Sequence, residues 1–258
     1  MLHSPKYYLD CVERGIHLYW RALGKMRGML THSGDIEYVL SQTRSGPERV
    51  YRVRLSADGI ERRVEEIAAG IRAGEIPNGL LLGPGTTPAN LPEFLARHGF
   101  HVDASDPCMA LDLADFHHGV GLPDGAQMGL VSDERQVSEW AQVVNLGLFG
   151  CELISAEQFT DVFHLEHARL FLAYHNGLPA CAAMTLRDGD LATLEFVATL
   201  AEQRRKGLGT AVTCAALRDL RDLGARTVTL RAEPDGVNIY QKVGFQVVCQ
   251  RVVASLPE

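Results

Sequence analysis

Residues 191–230 run through a strand, a basic glycine loop, a helix and a second strand, and this succession restricts the fold more than any other stretch of the chain. Leu191–Thr199 reads as a strand, and the loop is Arg204-Arg205-Lys206-Gly207-Leu208-Gly209-Thr210. Leu208, Val212, Ala215, Ala216, Leu220 and Leu223 then recur at helical spacing up to Gly224, and 226–230 returns as a strand. Strand, helix and strand of this length close as a right-handed parallel crossover, so the two strands are expected side by side in one sheet. Ligands of such sheets bind at the carboxyl ends of the strands, beside the helix N-terminus. There the glycines let a ligand approach the backbone, while the free first-turn N–H groups and the positive end of the helix dipole converge. Three cationic side chains stand at that point in a chain of net charge −7, which predicts a phosphate ligand.

Two familiar phosphate loops are excluded. A Walker A loop has four residues between its glycines and then Lys-Ser or Lys-Thr, whereas Lys206 precedes the glycine pair and only Leu208 separates Gly207 from Gly209. A dinucleotide fingerprint needs a third glycine where Val212 stands. The pattern Arg204-x-x-Gly207-x-Gly209, preceded by Val197-Ala198-Thr199 and followed by Tyr240-Gln241-Lys242-Val243-Gly244-Phe245, resembles instead the acyl-CoA pyrophosphate loop of the GNAT acetyltransferase superfamily. The resemblance covers roughly residues 127–258 and implies an α/β (α+β) GNAT fold, a mixed sheet flanked by helices.

The length allows one large domain or two ordinary ones, and 46% hydrophobic with 22% charged residues fits a folded globular chain. No apolar run approaches the roughly 20 residues of a membrane span, and the N-terminus lacks a signal-peptide core, so a cytoplasmic location without membrane partners is expected. The six cysteines are scattered and form no C-x-x-C, and the histidines, including His164, His167 and the adjacent His117 and His118, lack ligand spacing, so no metal is expected. The acidic balance gives no support to nucleic-acid binding.

In the first half a helix is read from His3 to Tyr19, strands at 36–42 and 50–55 around Ser45-Gly46-Pro47, and a helix after Asp58-Gly59 carrying Ile60, Val64, Ile67, Ala68 and Ile71. A short strand at 79–83, a helix at 88–97 and a strand at 108–113 follow. Helix, Gly-Phe and strand thus occur at Gly99-Phe100 and again at Gly244-Phe245, a candidate internal duplication. The reading is a degenerate GNAT-like domain at 1–115, a linker at 116–126 and a catalytic GNAT domain at 127–258. The first half has no matching glycine loop, and Leu95 stands where Tyr240 would, so this half is expected not to hold acyl-CoA in the usual way.

In the second half Val131 ends a strand, 133–148 reads as a helix with Val137, Trp140, Val143 and Val144 aligned, and a break at 147–150 leads to a helix capped by Ser155 with Gln158 as capping-box partner. Asn176-Gly177 and Asp188-Gly189 mark two hairpin turns. The resemblance implies that Phe149, Cys151, Glu152 and Phe159 line an acceptor pocket.

It also implies acetyl-CoA as acyl donor, held by Val197, Ala198 and Thr199 along its pantetheine arm and by Arg204, Arg205, Lys206, Gly207, Leu208, Gly209 and Thr210 at its pyrophosphate. A small-molecule amine would attack directly, with Tyr240 as general acid and Glu195 as general base. The family often has Asn seven residues before the tyrosine, where Glu233 stands, which weakens contacts expected from 233–236. A non-catalytic acyl-CoA-binding protein and a protein N-acetyltransferase are the alternatives. The oligomeric state is not fixed, a homodimer being the assembly considered.

Overall fold

The computed structural model describes residues 3–43, 46–116, 120–233 and 236–257. The features read at Ser45, at His117 and His118, and at Pro234 and Asp235 lie outside the described residues. The elements are, in order, α1 (Pro5–Leu23), β1 (Met29–His32), β2 (Ile36–Ser41), β3 (Arg49–Val53), α2 (Ile60–Arg72), β4 (Leu80–Leu82), α3 (Leu91–Arg97) and β5 (His101–Asp112). They continue with β6 (Ala126–Leu130), α4 (Glu134–Val144), α5 (Ala156–Phe163), β7 (Ala168–His175), β8 (Leu178–Asp188), β9 (Leu191–Thr199), α6 (Leu208–Asp222), β10 (Thr227–Arg231), α7 (Val237–Val243) and β11 (Gln246–Ser255).

Among the described residues the strands form one eleven-stranded sheet in the order β1-β2-β3-β4-β11-β5-β10-β9-β8-β7-β6. The pairs β3–β4 and β9–β10 are parallel and the rest antiparallel. Each parallel pair is bridged by one helix, α2 or α6, as a crossover of that length requires. The order is nearly symmetric about its centre. Three meandering strands, a helix, a strand, a second helix and a last strand occur once as β1–β5 and once as β7–β11. The two last strands are exchanged: β11 lies between β4 and β5, and β5 lies between β11 and β10. Gly99 and Gly244, at φ 85° and 117°, end α3 and α7 in the left-handed conformation that lets the chain turn into those exchanged strands.

Alternation along the strands sends side chains to opposite faces of the sheet. On one face α1, α4 and α5 bury Trp20, Trp140, Phe159 and Phe196 against β7–β9, with Tyr51 and Leu81 beneath α1. The other face packs α6 and α7 over β5 and β8–β10 and, farther along, α2 and α3 over β2–β4. Trp140 is fully buried and its indole N–H donates to the Ala183 carbonyl at 3.0 Å, so its burial leaves no donor of its own unmet. Ser4 accepts from the Tyr7 N–H at 3.3 Å to start α1, Asp133 accepts from Gln136 at 2.8 Å to start α4, and Ser155 with Gln158 completes the expected capping box on α5.

Several boundaries depart from the sequence reading. β1 is unread because Met29–His32 is mostly exposed and carries no alternation. β5 starts at His101 rather than 108, since pairing with β11 continues over bulges that hide its periodicity. The second hairpin turn is Gly189-Asp190, one residue later than expected, because Asp188 still pairs with Leu191. The helix read over 133–148 is α-helical only to Val144 and continues as a π-helical segment, Asn145–Phe149, ended by left-handed Gly150. Buried Asn145 explains the change: its side chain donates to the Ile154 carbonyl at 2.7 Å and accepts from the Leu153 and Ile154 N–H groups at 3.0 and 3.2 Å, tying the following loop back onto the helix. Phe116, at the start of the expected linker, is buried against the α6 side of the sheet.

α1 approaches the sheet through Gly15, where an added Cβ would lie 2.2 Å from Thr229 Oγ1 on β10. Gly15→Ala is therefore expected to destabilise the whole chain by about 1–3 kcal/mol through overpacking. Urea denaturation measures this, and an unchanged midpoint would show that α1 sits farther from β10.

Candidate active site

β9 and β10 pair only at Leu191–Thr193 with Thr227–Thr229. Beyond those residues β9 stays on β8, through Met184 with Glu195, Ala182 with Ala198 and Cys181 with Thr199, while β10 follows β5. A bulge between Ala182 and Met184, with Phe196 at φ 51°, turns β9 away from β10. A left-handed aromatic residue is strained, and the strain is offset by packing: Tyr19, Trp140, Phe149 and Phe159 surround the Phe196 ring at centroid distances of 5.6, 5.8, 6.4 and 5.5 Å. The result is a wedge between two parallel strands with one backbone edge of 194–199 open, which can take an extended ligand as an added strand.

The glycine loop closes the wide end of this wedge. Arg205 and Gly207 adopt φ 60° and 82°, and Gly207 is the N-cap of α6 with no side-chain cap. The first-turn N–H groups of this 15-residue helix are thus left to a ligand, at the end where its dipole attracts anions. Gly209 would admit a Cβ, whose nearest neighbour is Thr199 Oγ1 at 3.5 Å. The side chains behave differently from one another. Arg204 donates to the Thr199 carbonyl at 3.2 Å and to Gly147 O at 3.0 Å, clamping the end of β9 to the π-helical segment. Lys206 donates to Gln203 at 3.0 Å, Arg205 is exposed, Leu208 is core and Thr210 is half-buried.

Tyr240 on α7 is half-buried beside Phe245, and both it and Val197 pack against the core on the α6 side of the sheet. Burial holds its pKa above the ordinary phenol value, with further increments from Cys181, Glu195 and Glu233. Cys181 sits under Thr199, 3.2 Å from its hydroxyl, and burial pushes its thiol up to about 12. Glu195 faces the opposite side of the sheet, under α1, and is 6% exposed. Its carboxylate accepts from Thr193 Oγ1 at 2.6 Å and from Arg231 Nη2 at 2.9 Å, so it bridges β9 to β10 where they separate. Arg231 also lies 4.6 Å from the Tyr19 ring, and burial pushes that phenol up to about 12.

Of the residues expected around an acceptor, Phe149, Cys151 and Glu152 are exposed beside the wedge, but Phe159 is fully buried under Trp140 and cannot reach a ligand. Gly147 lets the π-helical segment lie on the end of β9, its Cβ position being 3.2 Å from Ala198 Cβ and 3.3 Å from the Thr199 nitrogen. Sequence reasoning missed Tyr19, Gly147 and Arg231.

Residues 139–255 match the family model for the acetyltransferase (GNAT) domain. This segment is a GNAT domain. Its fold is shared over the whole chain by a GCN5-related N-acetyltransferase from Kribbella flavida, with a TM-score of 0.73, 18% identity and coverage of 96% of each chain. A tandem GNAT protein from the clavulanic acid biosynthesis pathway aligns with a TM-score of 0.63 and 14% identity over 95% of this chain and 96% of that one. In sequence, the uncharacterised protein YyaT of Bacillus subtilis is 24% identical over 138 residues, 53% of this chain and 80% of its own. The family acts on amine acceptors and typically draws its acyl group from acetyl-CoA. The GNAT domain fits such a donor through the open edge of β9 and the uncapped N-terminus of α6. Among the described residues no His, Cys, Asp or Glu cluster is placed to hold a metal, and no helix is long and apolar enough to cross a membrane.

The two glycines separate backbone strain from ligand clearance. Gly207→Ala is expected to cost about 1–2 kcal/mol in stability from its left-handed conformation. Gly209→Ala is expected to leave stability unchanged or raised by up to about 1 kcal/mol, yet to weaken CoA binding at least about tenfold. Denaturation and calorimetric titration with CoA check both, and undiminished affinity in Gly209→Ala would remove the loop from the site.

Proposed function

We propose that the chain is an acetyl-CoA-dependent N-acetyltransferase that transfers an acetyl group to the amine of a small molecule by direct attack within a ternary complex. The observation that carries this reading is the meeting, at the end of β9, of an open strand edge and an uncapped helix N-terminus, with the Tyr240 phenol near enough to feel the charges of Cys181 and Glu195. In this reading 127–258 is the catalytic half and 1–115 a degenerate repeat, in which Leu95 is fully buried where the second half has Tyr240. α2 begins at a left-handed Gly59 as α6 does at Gly207, but no basic glycine loop precedes it.

Acetyl-CoA supplies the activated acyl group. The open backbone of Val197, Ala198 and Thr199 pairs with its arm, and the amides from Arg205 to Thr210 hold its diphosphate, with Arg205 and Lys206 adding charge. A backbone N–H of Val197 or Ala198 donates to the thioester oxygen as charge develops there. The amine nitrogen forms its bond to the carbonyl carbon, the carbon–sulfur bond breaks, and Tyr240 gives its proton to the departing sulfur. Glu195 takes the acceptor's proton through water. A cavity of about 10 Å³ beside Thr193, Glu195, Thr229 and Arg231 has room for roughly one molecule.

Tyr240→Phe is expected to keep CoA affinity within about twofold and to lower kcat about 10²-fold or more, by titration and thiol-release kinetics. Because the Tyr240 pKa is raised, its proton is retained through the neutral and mildly alkaline range and lost only above the ordinary phenol value. The pH profile of kcat should accordingly show no alkaline fall below about pH 10, and a fall near pH 8 would assign the acid elsewhere. Glu195→Gln is expected to lower kcat about tenfold or more while CoA affinity stays within about twofold. A variant that loses stability but keeps kcat would leave Glu195 as a partner of Arg231 alone.

A further inference from the structure

Acetyl transfer as derived above leaves a cluster of cations under α1 without a role. Arg251 on β11 is 3% exposed, and its Nε and Nη1 have no hydrogen-bond partner among the described residues. Arg231 on β10 is bonded to Glu195 through Nη2, but its buried Nε is also without a partner among them. Arg49, at the start of β3, extends over Gly79, where an added Cβ would lie 2.1 Å from its Nη1. Arg49 and Arg251 each feel the charge of Arg231. Burial and then the charge of Arg231 bring Arg251 down to about 10, and the same two causes lower Arg49. The carboxylates acting on these two arginines are Glu195, already paired, Asp106 and the exposed Glu48. A buried guanidinium without an acceptor costs several kcal/mol unless a ligand supplies one. The Arg231 side chain is 21% exposed, so this member of the cluster reaches solvent.

An arginine group with spare donors next to a buried carboxylate is complementary to a molecule that carries an anion and an ammonium a few bonds apart. Planar guanidinium forks match a planar carboxylate with two parallel hydrogen bonds. Resting on the acetyltransferase reading, we propose that the acceptor is an amino acid-type zwitterion, its carboxylate docked on Arg251 and Arg231 with Arg49 at the edge, and its amine beside Glu195. The arginines then determine specificity by placing the amine, and they take no part in bond making.

The test uses the full chain with acetyl-CoA and thiol-release kinetics over a panel of free amino acids, each paired with its decarboxylated amine and its primary amide. Both partners are expected to fall about 10²-fold or more in kcat/KM relative to the acid, because they leave buried donors unpaired. Arg251→Met is expected to reduce that discrimination to less than about tenfold, mainly through KM, and Arg251→Lys to restore part of it. The pairs are compared first on the unaltered chain, so a variant that fails to fold does not remove the test. Equal turnover of acids and decarboxylated amines overturns the proposal, as does intact discrimination in a folded Arg251→Met protein. Aminoalkyl phosphates outrunning every amino acid would overturn the carboxylate assignment. If acids fail while other amines are acetylated, this inference falls alone; if no amine releases thiol, the acetyltransferase reading falls and this inference with it.

Discussion

Arg231 and Glu195 lie on neighbouring parallel strands at the point where the strands part, and their ion pair replaces the backbone bonds that the parting gives up. The pair is covered by α1, stiffened by Thr193 and roofed by the Tyr19 ring. A buried ion pair of this kind contributes little net stability against an apolar alternative, yet removing one member costs about 3–5 kcal/mol because the other charge is stranded. Its retention in a core otherwise built of Trp140, Phe159 and Phe196 is therefore better explained by the wedge it spans than by stability. The wedge, in turn, frees the edge of β9 and aims the N-terminus of α6 across it.

The crossover, the glycine loop, the Asn176-Gly177 hairpin and the Ser155 capping box were legible because each depends on local chemistry: a left-handed φ, a capping hydroxyl or an apolar stripe read over a few residues. The π-helical segment was not, because Asn145 departs from the α-helix for the sake of bonds to Leu153 and Ile154 that exist only after the loop has folded back. Arg251 was equally hidden. Bulges in the β5–β11 pairing shift which residues face α1, and strict alternation cannot anticipate a shift made by a partner strand. Phe159 misled in the opposite direction: the resemblance put it in an acceptor pocket, while its helix turns it beneath Trp140.

The first half contributes more to the site than its missing glycine loop would indicate. α1 places Tyr19 on Arg231 and on Phe196, and Gly15 lets the helix settle on Thr229. β3 contributes Arg49. A half without a basic glycine loop can still supply one wall of a pocket, since a wall requires only shape and charge at a fixed distance, whereas a diphosphate cradle requires a particular backbone.

The exchanged strands carry a consequence for how the molecule comes into being. β4 and β5 cannot become neighbours through a strand of their own half. The gap between them is filled by β11, made some 150 residues later. A nascent chain therefore holds an unfinished sheet edge until β11 has emerged, and a contact of such long sequence separation closes slowly. The charged exterior of α2, with Glu61, Arg62, Arg63, Glu65 and Glu66, sits over that waiting half, where it favours solubility during the delay.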